Sequence, residues 1–349
     1  MKLSVIIPNR NDTVMLGVTV RTCLEELKSI DNDGEIVIVD NSDEDIWKII
    51  KTVNVSPINL GYVEEGKIQL LHQPYPCLYS ARQTGIERAR GKYVYNIDSH
   101  TIIGHNSLLD LVNFMESRKD EKIGMGFAPI GWMSQHHTHA RHDIRVDQGT
   151  VFGNWGRQYD KPTKICWNFG SRIVNREWFL KVHGGYDFFA TKRVAWGGGE
   201  MYIPIKSWLL GYECWAVPCS PQYHIGPFSH EIERRTSYRY RQYDGSGKTK
   251  LGLGIFAAFY AFGGDEMKEE ARKAEKAGAG KNYGLSVDRD WPEAKALAQE
   301  AYEDIQKRQV ISYWDLMEQR PWTEDWNSWN PDAEIKRTFN LWNIETLPG

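Results

Sequence analysis

Residues 77–100 read CLYSARQTGIERARGKYVYNIDSH, and this stretch decides the fold class. From Leu78 onward it carries helix formers, and Gly91 stands where a helix C-cap is expected. The following YVYNID (93–98) is short and almost wholly apolar, the pattern of a strand covered on both faces. Three earlier runs read the same way: LSVIIP (3–8), EIVIVD (35–40) and IQLLH (68–72), with TVMLGVTVRTCLEELKSI as a second helix between the first two. Strand, helix and strand repeated in this order predict right-handed βαβ crossovers and an α/β fold built on a mostly parallel, twisted sheet flanked by helices.

In such sheets ligands bind beyond the carboxyl ends of the strands, near a topological switch point. Pro8 and Asn9, Asp40 and Asp98 all fall at those ends. No G-x-G-x-x-G follows the first strand and no G-x-x-x-x-G-K-[ST] occurs, so the nicotinamide and P-loop explanations lose ground. A nucleotide can still be held by strand-end carboxylates and a metal, with Asp40 able to accept hydrogen bonds from a uracil or a ribose and a divalent ion bridging the diphosphate to Asp98 and His100. Two plainer readings stay open, Asp40 as a turn or helix N-cap residue in VDNSDED and 98–100 as an ordinary polar strand end.

Composition is compatible with this and excludes little else. The 349 residues are 41% hydrophobic and 26% charged, enough for a sizeable core. A net charge of −3 gives no global field toward nucleic acid or anionic membranes. The five cysteines show no CxxC spacing, so neither a disulfide framework nor a zinc site is indicated. The apolar start MKLSVIIPNRND is too short for a signal peptide or a membrane span, and the expected location is the cytoplasm.

Taken with EIVIVDNSDED (35–45), FGSRIVNREWFLKVHGGYD (169–187) and WGGGEMYIPIKSWLLGYECWAVPCSPQYHIG (196–226), these stretches resemble the GT-A glycosyltransferases, and among them the polypeptide N-acetylgalactosaminyltransferases. The resemblance runs in order over roughly residues 1–240. It implies a Rossmann-like GT-A catalytic domain at 1–262, with a nucleotide-binding half at 1–100 and a sugar and acceptor half with a lid at 101–262. It further implies transfer of a GalNAc, GlcNAc, Glc or Gal type sugar from a UDP-sugar, dependent on manganese or, as a second choice, magnesium. By the same resemblance the D-x-H residues Asp98 and His100, with the distant His224, hold the metal. Arg82 lies near the donor, and Trp196, Gly197 and Gly198 lie beneath the transferred sugar. The chemistry is coherent, because a departing diphosphate builds charge that a divalent ion and nearby cations neutralise. One carboxylate oxygen with two imidazole nitrogens is a softer set than magnesium prefers and suits manganese.

The chain also departs from the family pattern. Where the family reads W-G-G-E-N, this sequence reads WGGGE, which puts Gly199 in the place of the Glu and Glu200 in that of the Asn. Glu200 is therefore read in two ways, as a group that binds a sugar hydroxyl in a retaining enzyme or as the acceptor base of an inverting one. The expected outcome is retention. After His224, the segment from Arg234 to Tyr243 holds four arginines and three tyrosines. It reads as a donor lid in which Arg234, Arg235 and Tyr238 close on the diphosphate, or as a contact to an anionic acceptor such as DNA.

SQHHTHARHD (134–143) concentrates four of the ten histidines without apolar periodicity, and reads as a loop on the acceptor side. Residues 263–349 are expected to form a helical, tryptophan-rich extension packed on the catalytic domain, most of its tryptophans being core anchors. The acceptor is a protein, a glycan or lipid precursor, or a hydroxymethylated base in DNA. A sugar nucleotidyltransferase would carry a glycine-rich N-terminal loop that IIPNRND lacks, and the intact Asp98, His100 and His224 speak against an inactive nucleotide-sugar-binding module.

Overall fold

A computed structural model describes residues 1–42, 66–132, 135–139, 161–166, 171–191, 194, 197–225, 253–276 and 285–322. Four strands fall where the sequence places them: β1 (Leu3–Asn9), β2 (Gly34–Asp40), β3 (Ile68–His72) and β4 (Tyr93–Asn96). Helix α1 (Thr13–Leu27) joins β1 to β2, and α2 (Leu78–Arg88) joins β3 to β4. The four strands pair in parallel in the order β3, β2, β1, β4. The apolar runs are continuous because alternate residues enter two different cores. Leu3, Val5, Ile7, Ile36 and Ile38 pack under Leu16, Val20 and Cys23 of α1. Ile6, Val37 and Val39 pack on the other face with Ala81 and Ile86 of α2. Each such side chain removed from water stabilises the fold by about 1.5–3 kcal/mol.

One expected detail is overturned. Gly91 does not cap α2, which ends at Arg88 with Ala89 in an extended conformation. Gly91 instead passes so close to β1 that a Cβ would lie 2.6 Å from the backbone of Leu3 and Ser4, and its N–H donates to Ser4 Oγ at 2.8 Å. Close approach, not a left-handed turn, calls for glycine there.

Beyond β4 the sheet becomes mixed. Strand β5 (Thr101–Ile102) and helix α3 (Ser107–Ser117) lead to β6 (Ile123–Phe127) and β7 (Ile130–Trp132), followed by β8 (Gln135–His139), β9 (Thr163–Lys164) and β10 (Arg172–Asn175). Helix α4 (Gly199–Leu209), β11 (Glu213–Ala216) and β12 (Gln222–His224) complete this half. Among the described residues the large sheet runs β3-β2-β1-β4-β10-β6-β11-β9, with β10 antiparallel to both neighbours. A second, small sheet runs β5-β12-β7-β8. The histidine-rich QHHTH was expected to be a loop and is strand β8, paired antiparallel to β7. Ladder hydrogen bonds come from the backbone, so a strand at the edge of a sheet forms without apolar alternation.

The same core continues into the C-terminal part. Helix α5 (Leu253–Gly263), LGIFAAFYAFG, is apolar all round and buried, a pattern that marks a helix enclosed by protein. It was not recognised in the sequence. Helices α6 (Lys268–Ala274), α7 (Val287–Arg308) and α8 (Tyr313–Gln319) follow. Ala294, Ala298 and Ala301 of α7 belong to the core that encloses α5, and Trp322 packs on Trp208 of α4 at 5.5 Å. No helix among the described residues is long and apolar enough to cross a membrane.

Candidate active site

The switch point of the large sheet lies between β1 and β4, since β1 feeds β2 on one side and pairs with β4 on the other. Two polar clusters stand there. The first joins the ends of β1 and β2, where Asn9 and Asp40 are register partners. Asn9 Nδ2 donates to Asp40 Oδ1 at 2.6 Å, and Ser42 donates to the same carboxylate from Oγ (2.7 Å) and from its backbone N–H (3.2 Å). Pro8, Asn9, Asp40 and Ser42 are all buried, Asp40 completely. Burial pushes the Asp40 carboxyl above its ordinary range, against the lowering effect of the Ser42 and Asn9 hydrogen bonds.

The second cluster begins where β4 runs out. Ile97 is fully buried, and Asp98 is the first residue to regain exposure, at 27% of its side chain. Buried Thr19 of α1 pins the turn that follows: its Oγ1 donates to Ser99 O at 2.8 Å and accepts from Thr101 N at 3.0 Å. The small sheet then supplies the distant histidine. β12 pairs antiparallel with β5, His224 standing opposite Thr101, and Ile225 N–H donates to His100 O at 2.9 Å. Gly104 allows this approach, because a Cβ there would lie 2.4 Å from Pro221 O. Two histidines 124 residues apart thus meet with Nε2 atoms 2.9 Å apart and rings nearly perpendicular. Asp98 Oδ2 lies 3.7 Å from His224 Nε2, and one donor atom from each of the three residues lies within 4.8 Å of the others.

Asp98 and His100 are held from behind. Arg82 of α2, fully buried, donates from Nη2 to Asp98 Oδ1 at 2.7 Å, which leaves Oδ2 on the side of His224. Burial alone would raise the Asp98 carboxyl, but the charges of Arg82 and the two imidazoles hold it below the usual range. Asp12 lies 3.4 Å from His100 Nδ1, so that the ring's Nε2 faces the cluster; such carboxylate–imidazole pairs orient metal-binding histidines. Burial lowers His100, yet the Asp12 hydrogen bond and the charges of Asp98 and Asp12 raise it overall. His224 is pulled down to about 4 by burial and by the His100 charge, with Asp98 opposing. The donor set fits a divalent cation. Two ligands at right angles on an ion with bonds of about 2.1 Å stand about 3 Å apart, close to the observed 2.9 Å separation.

Glu200 joins this cluster through Arg82, whose Nη1 lies 3.4 Å from Glu200 Oε1. Its other oxygen accepts from Tyr79 Oη at 2.8 Å. The same phenol oxygen accepts the N–H groups of Gly197 and Gly199, both at 3.1 Å, at the start of α4. This clamp accounts for the third glycine of WGGGE. A Cβ on Gly199 would meet the Tyr79 ring at 2.4 Å, so the carboxylate is carried by the next residue. Gly197 and Gly198 both take positive φ, 100° and 90°, which glycine adopts without strain.

The structure therefore brings together Asp98, His100, His224, Arg82, Glu200 and Gly197, with the Pro8, Asn9 and Asp40 strand ends alongside. Arg234, Arg235, Tyr238 and Trp196 lie outside the described residues, as do 140–143 of the histidine-rich stretch. Sequence reasoning missed Asp12 and Tyr79. Both stand inside stretches already singled out, NRND and LYSAR, but neither partner is near in sequence.

Comparison with known proteins bears on this arrangement. The profile of glycosyl transferase family 2 matches residues 4–190, more than half of the chain. An uncharacterised glycosyltransferase of Rickettsia bellii is 31% identical over 116 residues, 33% of this chain and 15% of that protein. A putative polypeptide N-acetylgalactosaminyltransferase 13 of Drosophila melanogaster is 25% identical over 173 residues, 47% of this chain and 30% of that protein. The chain thus matches less than a third of the length of either relative. Among solved structures, GalNAc-T7 with UDP, GalNAc and Mn2+ superposes with a TM-score of 0.62 at 19% identity, over 92% of this chain and 57% of that one. S. aureus TarS 1-349 in complex with UDP-GlcNAc gives 0.54 at 11% identity, over 91% and 85%. The fold is that of the GT-A glycosyltransferases.

Proposed function

The chain belongs to glycosyl transferase family 2, and we propose that it transfers a sugar from a UDP-sugar to an acceptor hydroxyl, with a divalent ion, manganese by preference, and with retention at the anomeric carbon. The observation that carries this reading is the convergence of Asp98, His100 and His224 at the switch point, backed by Arg82 and Asp12. UDP-sugar components in the solved neighbours, and Mn2+ in one of them, support it. When bound, the ion supplies positive charge to a departing diphosphate. The protein's own residues do the rest. Asp98, His100 and His224 hold the ion, and the Arg82 guanidinium beside them adds a fixed cation. Asn9 is assigned to the uridine end, and Asp40, wholly buried and engaged by Asn9 and Ser42, holds that strand end in place where a direct contact to uracil or ribose was expected. The setting we propose is the cytoplasm, and the acceptor a protein, a glycan precursor or a modified DNA base.

Glu200 is assigned to sugar positioning. Both of its oxygens already take donors, from Tyr79 and Arg82, and a carboxylate held in that way is poorly placed to remove an acceptor proton. The test is a screen of UDP-sugars for manganese-stimulated hydrolysis, followed by proton NMR of the product's anomeric centre. Glu200→Gln is expected to keep turnover within about tenfold and to leave retention intact. An inverted product, with turnover lowered by about 10²-fold or more, would make Glu200 the base.

A further inference from the structure

The C-terminal helices form a second cavity, about 460 Å³ in volume, which shares no lining residue with the Asp98 site. Its aromatic lining includes Tyr260 of α5 and Tyr302 of α7, with ring centroids 5.4 Å apart, and Trp314 of α8. Trp314 stays 45% exposed, although an indole has much apolar surface to gain from burial. The polar part of the lining comprises Ser312, the amides of Gln306 and Gln309, and the carboxylates of Asp265 and Glu266, which stand exposed at its rim where water screens them; the amides are incompletely used. Gln309 Nε2 donates to Gln306 Oε1 at 2.9 Å and Gln306 Nε2 to Phe262 O at 3.3 Å, which leaves Gln309 Oε1 buried without a donor.

A purely apolar ligand would leave Gln309 Oε1 without a donor, at a cost of about 1–3 kcal/mol. An organic cation is also a poor fit, because the Lys295 ammonium already lies over the Tyr260 ring at 5.3 Å. The nearby Asp265 carboxylate is taken by Lys295 (2.5 Å) and Trp291 (3.0 Å). A pyranose matches both halves of the lining, its C–H face on an exposed indole and its hydroxyls on amides. We propose that this cavity binds one pyranose unit of a glycan, away from the site of transfer, and so holds a glycan acceptor or product chain. The choice of ligand rests on the reading of the chain as a glycosyltransferase. The cavity is also tied to the transfer site, since Phe262 stacks on both Tyr313 (5.5 Å) and Tyr202 (5.6 Å), and Tyr202 lies on the helix that carries Glu200.

The full chain, saturated with UDP and Mn2+, is titrated with the methyl glycosides of glucose, galactose, GlcNAc and GalNAc, read by saturation-transfer NMR and tryptophan fluorescence. At least one glycoside is expected to bind in the presence of UDP and to lose affinity by about tenfold or more in Trp314→Ala and in Gln309→Ala. Both variants are expected to retain the wild-type melting temperature and metal-dependent UDP binding. Failure of all four glycosides to bind overturns the proposal, as does binding that neither substitution weakens. UDP-sugar hydrolysis, measured separately, tests the glycosyltransferase reading: its absence beside intact glycoside binding removes that reading and leaves the cavity's ligand standing.

Discussion

Two carboxylates stand at the ends of the parallel strands that flank β1, Asp40 on β2 and Asp98 just past β4, and they are treated in opposite ways. Asp40 is sealed: it is wholly buried, and its oxygens take donors from Asn9 and Ser42. Asp98 is held on one oxygen by Arg82, while the other faces two imidazoles whose nearest nitrogens are 2.9 Å apart. One N–H···N bond can join those nitrogens, but Asp98 Oδ2 stands 3.7 Å from His224 Nε2, beyond hydrogen-bond reach, so this carboxylate is not closed on its neighbours as Asp40 is. A carboxylate whose two oxygens both take donors holds the fold in shape, whereas one that turns an oxygen toward two imidazoles is arranged as a cation ligand would be.

The sharpest break in this comparison is His224→Ala. Removing an imidazole from the Asp98 cluster is expected to lower manganese-dependent UDP affinity by about 10²-fold or more, with the melting temperature kept, because the cluster contributes little to stability. Calorimetric titration of UDP with and without Mn2+ decides it, and unchanged heats would remove the metal assignment. Asp40→Ala should act the other way. It deprives three donors of their acceptor and is expected to cost about 2–4 kcal/mol in urea denaturation. If instead Asp40→Ala is as stable as wild type, the sealed cluster is not structural.

A smaller effect is expected from Gly104→Ala, which presses on Pro221 and moves β12, with His224, away from β5. Metal affinity should fall by about tenfold, in keeping with losses at groups that only place a ligand. The mildest effect is that of pH. Metal binding needs both imidazoles neutral, and His100 is raised above the ordinary histidine value of about 6.5 by Asp12 and Asp98 against the opposing effect of burial. Affinity should therefore weaken as pH falls through that raised value, while His224, at about 4, stays neutral throughout. Titration in buffers of different ionisation enthalpy should show proton release on metal binding near neutral pH, and Asp12→Asn should shift the weakening to lower pH.

Local pattern determined much of this protein. The continuous apolar runs of β1, β2 and β4 are set by burial on both faces, which shows in a single strand without knowledge of its neighbours, and so the parallel sheet and the strand-end positions of Asn9, Asp40 and Asp98 were legible in the sequence. The D-x-H pair was legible too, because two residues apart in one turn are already close. Resemblance added His224. What composition and periodicity do not carry is distance between segments. Helix α5 has no amphipathic signature because it is covered all round, and the histidine-rich strand β8 is held by backbone ladder bonds that no side-chain pattern reports. Only the tertiary structure decided that Tyr79 occupies the space a Gly199 side chain would need, that Asp12 stands behind His100, and that both oxygens of Asp40 take donors while Asp98 turns one oxygen toward His224. Those outcomes depend on chain segments far apart in sequence packing to within a few tenths of an ångström, and close packing of that kind is a property of the assembled core, not of any stretch within it.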